Sequence, residues 1–126
     1  MKIGELAART EVSVRALRYY EEQGLLRPQR TSTGQRTYPE SAVERVEFIR
    51  QLFAAGLASR TIVAILPCID TGAISPAQHD LLSTELSKID DHIRRLTEAR
   101  NRLATVITTA PVIESRGPAV PSGLPA

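Results

Sequence analysis

Apolar positions recur at helical spacing in five stretches of the 126-residue chain. Ile3, Leu6 and Ala7 form an i, i+3, i+4 stripe, which predicts a short first helix. Thr10-Glu11-Val12 breaks the stripe. Ser13 then reads as an N-cap, its hydroxyl accepting a backbone N–H of the next turn. Val14, Leu17 and Tyr20 or Glu21 line a second helix, which Gly24 stops by taking a left-handed conformation. Two short helices joined by a tight turn are the layout of a helix-turn-helix. Residues 26–30 and 35–38 then flank Thr31-Ser32-Thr33-Gly34, where Gly34 supplies the positive φ of a hairpin loop, so a small wing follows. Pro39 fits the first position of a third helix, striped by Val43, Val46, Ile49, Leu52 and Phe53 and ended by Gly56. A short fourth helix over about 59–66 packs Ile62, Ile65 and Leu66, and Pro67 and Gly72 mark a loop.

The longest periodic signal lies further on. Leu82, Leu86, Ile89, Ile93, Leu96, Leu103 and Ile107 follow a heptad seam, interrupted once by Arg100. A helix over 78–109 would be about 48 Å long. One apolar stripe on such a rod needs a partner, and a two-stranded coiled coil with a second copy supplies it; the alternative is a helix folded back on its own domain. Paired antiparallel about its midpoint, the seam sets Leu82 on Ile107, Leu86 on Leu103, Ile93 on Leu96 and Ile89 on Arg100. The expected fold is therefore mainly α: a winged helix-turn-helix domain over 1–70, a linker over 71–77, and a long coiled-coil dimerisation helix over 78–109. Residues 110–126 hold four Pro and two Gly without periodicity and are expected to be disordered.

Composition changes the picture in three places. The net charge is only +2, which by itself argues weakly against a nucleic-acid partner. It averages a basic half, residues 1–60 at +3, with residues 61–126 at −1. One cysteine, Cys68, excludes an internal disulfide. No apolar run approaches the roughly 20 residues of a membrane span, and Glu5 and Arg9 interrupt any signal peptide, so a cytoplasmic protein without a membrane partner is expected.

The basic half carries the candidate chemistry. Arg15 and Arg18 lie three apart on the second helix, with Tyr19 beside them; a helix fits the major groove, and arginine and tyrosine donors reach phosphates. Arg27, Arg30 and Arg36 sit on the wing arms with no acid among residues 27–36. Tyr20 and Tyr38 complete a cluster of all three tyrosines in this region, either at the DNA face or as core residues that frame it.

The run Val12-Ser13-Val14-Arg15-Ala16-Leu17-Arg18-Tyr19-Tyr20-Glu21, followed by Gly24-Leu25-Leu26 and Gly34-Gln35-Arg36-Thr37-Tyr38, resembles the MerR family of bacterial transcriptional regulators. The likeness extends over residues 1 to about 109. It implies a homodimer joined by an antiparallel coiled coil, bound to a near-palindromic double-stranded operator in an overlong promoter spacer. Such a dimer distorts the DNA and thereby acts on RNA polymerase indirectly, through promoter DNA, the deformation being offset by backbone contacts at two wings and two recognition helices. By the resemblance, Arg18, Tyr19 and Arg36 fall on backbone-contacting positions, Arg15 near base edges, and Arg60 near a second wing. Three departures stand out: Glu11 where the family often has Gly, Lys2 in place of a Ser or Thr cap, and Ala58 before the fourth helix, with Ser59 as a substitute cap.

Effector chemistry is sparse. Cys68, Asp70 and His79 match no metal-ligand spacing, and the residues after the long helix hold neither Cys nor His, so no metal and no cofactor are expected. Cys68 reads as a buried, inert thiol. A small-molecule or stress effector is left without a named ligand set. No Ser-His-Asp order, phosphate loop or paired-carboxylate motif is present, so an enzyme is not expected. The competing reading is an architectural or excisionase-like DNA binder with the same winged domain and no effector-driven switch.

Overall fold

A computed structural model describes residues 1–114. The chain divides into two compact units, Met1–Ile89 and the residues from Asp90 onward.

In the first unit, α1 (Ile3–Thr10) and α2 (Val14–Glu22) precede a two-stranded antiparallel hairpin, β1 (Gln29–Arg30) and β2 (Arg36–Thr37). Then come α3 (Ser41–Ala54), α4 (Ser59–Thr71) and the first part of α5 (Pro76–Thr109). The core gathers Leu6, Leu17, Leu25, Val46, Ile49 and Ile62, each with no exposed surface. These positions come from every helix of the winged domain, so each amphipathic stripe closes over the same centre.

Local chemistry accounts for the ends of the elements. Ser13 Oγ accepts the Ala16 N–H at 3.0 Å and starts α2. Gly24 (φ 76°) and Gly56 (φ 92°) turn the chain after α2 and α3. Glu11 ends α1 at φ 58°, ψ 26°, a left-handed conformation that costs a non-glycine residue about 1–2 kcal/mol. Lys2 supplies no side-chain cap to α1. The chain start is anchored instead by tertiary bonds: the Met1 amino group donates to the Tyr38 carbonyl at 2.7 Å, and the Tyr38 N–H donates to the Met1 carbonyl at 2.7 Å.

Several expectations are corrected. Pro39 is not in the first turn of α3; its carbonyl accepts the Ala42 N–H, a tight turn that delays regular helix bonding to Ser41. The fourth helix does not stop before Pro67 but runs on to Thr71 with Pro67 inside it. A proline removes one helix bond and crowds the preceding turn, at about 3 kcal/mol. Burial of Leu66 and Cys68 on either side holds the chain helical, as do the Arg45–Asp70 ion pair at 2.6 Å and the Thr71 Oγ1 bond to the Pro67 carbonyl. Ser59 does not cap α4; its hydroxyl donates to Gln23 Oε1 at 3.1 Å and ties α4 to the end of α2. The helix expected from 78 begins at Pro76. Ser75 and Gln78 cap it reciprocally, Ser75 N–H to Gln78 Oε1 at 2.8 Å and Gln78 N–H to Ser75 Oγ at 3.2 Å.

Within this unit Leu82 and Ile89 pack with Leu81 against the domain core, whereas Leu86 is exposed. The second unit carries α5 on to Thr109. Its Ile93, Leu96, Leu103, Val106 and Ile107 are all more than half exposed. Residues 110–114 have no helix or strand; the rest of the expected disordered tail lies outside the described residues.

Candidate nucleic-acid interface

Two shallow concavities gather Arg15 and Arg18 of α2, Arg36 of the second wing arm and Lys2. One lies along α2 and is lined by Val14, Arg15, Arg18, Tyr19 and Glu22. The other lies between the start of α1 and β2, lined by Lys2, Ile3, Arg18, Gln35 and Arg36. Arg18 belongs to both, so the two join into one basic strip on α2 and the second wing arm. Leu17 and Tyr20 face the core on one side of α2, which turns Arg15, Arg18 and Tyr19 to solvent on the other. Tyr19 is 45% exposed. Lys2 is a member of this strip that periodicity did not select; the hydrogen bonds of Met1 to the end of β2 bring it there.

The wing is short. Gly34 (φ 84°) turns the loop, and Thr31 closes it by bonding Gln35 through both backbone and hydroxyl. The register pairs Arg30 with Arg36. Arg30 Nη1 donates to the Gly34 carbonyl at 3.0 Å, and Arg36 Nη1 to Glu21 Oε2 at 3.1 Å. Both side chains stay exposed, Arg36 by half.

The fold buries Tyr20 and Tyr38, contrary to a place on the exposed basic strip. Tyr20 is 7% exposed and stacks on Phe53 with ring centroids 5.6 Å apart. Tyr38 is 1% exposed, and its hydroxyl donates to Glu21 Oε1. An aromatic ring of the helix-turn-helix is as useful to the core as to DNA, and only packing separates the two uses. Arg27 also lies apart; it lines a different concavity with Pro39, Ala42, Arg45 and Leu66. Arg60 is exposed on the first turn of α4 and lines neither basic concavity.

Burial, aided by the Glu21 carboxylate, pushes the Tyr38 hydroxyl up to about 12. The fold thus favours the protonated phenol. Its contribution to stability is complete below the ordinary tyrosine value near 10 and is lost as pH rises toward about 12. Thermal unfolding between pH 9 and 12 is expected to fall more steeply for the wild type than for Tyr38→Phe. Parallel curves would assign the alkaline loss to other groups.

Among the described residues, no three of His, Cys, Asp or Glu are placed to hold a metal ion, and Cys68 is a buried free thiol. No helix among them is long and apolar enough to cross a membrane.

Known proteins resemble this chain in sequence and fold. Residues 1–67 match the family described as MerR HTH family regulatory protein. The chain is 33% identical over 110 residues to the HTH-type transcriptional regulator HmrR of Rhizobium leguminosarum bv. viciae, covering 85% of this chain and 84% of that protein. It is 31% identical over 100 residues to a mercuric resistance operon regulatory protein of Bacillus cereus, covering 79% and 74%. It is 37% identical over 112 residues (88% of this chain) to the nodulation protein NolA of Bradyrhizobium sp. (strain NC92), of whose length it spans 45%. Among solved structures, a putative MerR family regulator from Listeria monocytogenes superposes with a TM-score of 0.75 at 26% identity, covering 87% of each chain. HiNmlR, a MerR family regulator bound to promoter DNA, superposes at 0.71 over 85% of this chain and 86% of its own, and at 17% identity that likeness concerns the fold alone. A family match over more than half of the chain, joined to a regulator matched along most of its length, makes this protein a member of the MerR family, DNA-binding regulators of transcription rather than enzymes.

Proposed function

We propose that the protein regulates transcription as a homodimer joined antiparallel through α5, and that each protomer presents its basic strip to one half of a near-palindromic operator. The observation that carries this reading is the exposed apolar series Leu86, Ile93, Leu96 and Leu103 on α5. Antiparallel pairing about the seam midpoint sets Leu86 against Leu103 of the partner subunit and Ile93 against Leu96 of the partner subunit. The structure has already used Leu82 and Ile89 against the protomer's own core. These four exposed positions therefore pair among themselves at the centre of the seam, while Ile107, also exposed, falls opposite the partner's Leu82.

Each protomer offers Arg18, Tyr19, Arg36 and Lys2 to the DNA backbone and Arg15 to base edges. Arg30 extends the wing footprint, and Arg60 is a contact at the start of α4. A dimer that engages two half-sites at once can offset the cost of bending and untwisting promoter spacer DNA. RNA polymerase then responds to the altered spacer rather than to a protein contact.

Footprinting on the DNA upstream of the protein's own gene tests this reading, with a two-fold protected site between promoter elements as the expected result. Arg18→Ala is expected to weaken binding to all sequences and to reduce the salt slope by about two units per dimer, one for each phosphate deprived of its arginine. An unchanged slope removes Arg18 from the backbone contacts.

A further inference from the structure

One acidic side chain stands where α2 meets the wing. Glu21 lies on α2 and is only 12% exposed at its side chain. Its Oε2 accepts from Arg36 Nη1 at 3.1 Å, and its Oε1 accepts from the Tyr38 hydroxyl. A carboxylate beside a DNA-facing arginine repels phosphate, so for DNA binding it is a liability unless it does something else. Arg36 is also the register partner of Arg30, and like charges directly opposed on a small sheet disfavour that pairing. Glu21 offsets this repulsion from the side of α2.

The guanidinium geometry indicates what else Glu21 does. Arginine has five donors in a planar fork, and Glu21 engages one terminal nitrogen of Arg36. The remaining donors stay on a side chain that is half exposed and lines the same concavity as Lys2 and Arg18. A long arginine on a two-residue strand would otherwise sample many rotamers, and fixing it only upon binding costs affinity. Tyr38 in turn fixes Glu21 with a hydroxyl from the buried end of the second wing arm.

We propose that Glu21 is the positioning residue of the DNA interface: it holds Arg36 by one edge, presents the other edge to a backbone phosphate beside Arg18, and locks the wing to α2. The proposal rests on the reading of Arg36 as a phosphate contact. It extends to Tyr38, which acts through Glu21 and never reaches the DNA.

A double-mutant cycle in the full chain tests it, with an operator duplex titrated across a range of salt concentrations and thermal unfolding measured on the same samples. Arg36→Ala is expected to weaken binding roughly tenfold and to lower the salt slope by about two units per dimer. Glu21→Gln removes a negative charge from the interface, yet it is expected to weaken binding to a similar extent and to lower the slope. Combined with Arg36→Ala, it is expected to add less than about a further twofold. Tyr38→Phe keeps the ring in the core and is expected to weaken binding in the same direction by a smaller factor. It serves as the second variant if Glu21→Gln folds poorly. Tighter binding and a steeper slope for Glu21→Gln would make Glu21 a competitor of the DNA and overturn the proposal. Fully additive losses, with the salt slope unmoved by Glu21→Gln, would assign Glu21 to the stability of the fold and also overturn it. If Arg36→Ala leaves both affinity and slope unchanged, the phosphate reading of Arg36 fails and the proposal fails with it; the first two results overturn the positioning role alone.

Discussion

Ile93→Glu together with Leu96→Glu is expected to produce a monomer at micromolar concentration and to abolish operator binding. Both residues lie exposed on α5, 55% and 57% accessible, so neither contributes to the protomer's own core. In the proposed antiparallel seam each would pack on the other across the dimer, twice. Burying a large aliphatic side chain contributes about 1.5–3 kcal/mol, so removing four from the dimer costs at least about 6 kcal/mol. That loss raises the dissociation constant by more than about four decades, before the repulsion of buried glutamates is counted. On the proposed reading a monomer would make half of the phosphate contacts and could not span two half-sites. Light scattering reads the mass, and circular dichroism checks that the winged domain is intact. A dimer of unchanged affinity would place self-association on another surface.

Leu17→Ala is expected to cost about 3–5 kcal/mol of folding stability. Leu17 has no exposed surface and lies on the inner side of α2, beneath the helix that carries Arg15, Arg18 and Tyr19. Large-to-small changes at fully buried sites forfeit both the transfer energy and the packing around the cavity left behind. Domains of this kind hold only about 5–15 kcal/mol in total, so the variant approaches the threshold of folding at physiological temperature. Leu17→Met conserves volume and is expected to lose less than about 1.5 kcal/mol. Urea unfolding of the two variants side by side gives the comparison. A loss below about 1 kcal/mol for the alanine variant would mean that the site collapses freely, contrary to tight packing around Leu17.

Much of the architecture was readable from local patterns. The stripes of α1, α2 and α3 sit on the predicted residues. Ser13, Gly24, Gly34 and Gly56 do at their positions what their chemistry requires. The Ser75-Pro76-Ala77-Gln78 start of α5 is a capping box with proline in the first turn, a local signal that lies ahead of the heptad seam beginning at Leu82. Pro67 inside α4 is a different case. A proline is a helix breaker in an isolated segment, but burial of Leu66 and Cys68 and the Arg45–Asp70 pair outweigh it here.

The candidate site shows the same division. Arg15, Arg18, Tyr19 and Arg36 were accessible to sequence reasoning because helical spacing and the wing place them without reference to anything distant. Lys2 joins them only because Met1 bonds to Tyr38, 37 positions along the chain. Tyr20 and Tyr38 left the surface because Phe53 and Glu21 meet them in space. Leu82 and Ile89 match the heptad as well as Leu86 and Ile93 do, yet the domain core takes the first pair and leaves the second pair at least half exposed.

What the sequence determined by itself is the order, type and punctuation of the elements, together with the arginines on one face of α2. These depend on backbone conformation and on periodicity, which act over a few residues. What only the tertiary structure decided is which apolar and aromatic side chains are spent on the core, and which charges meet. Burial and ion pairing are set by neighbours distant in the chain, as when Glu21 of α2 holds both Arg36 and Tyr38 of the wing.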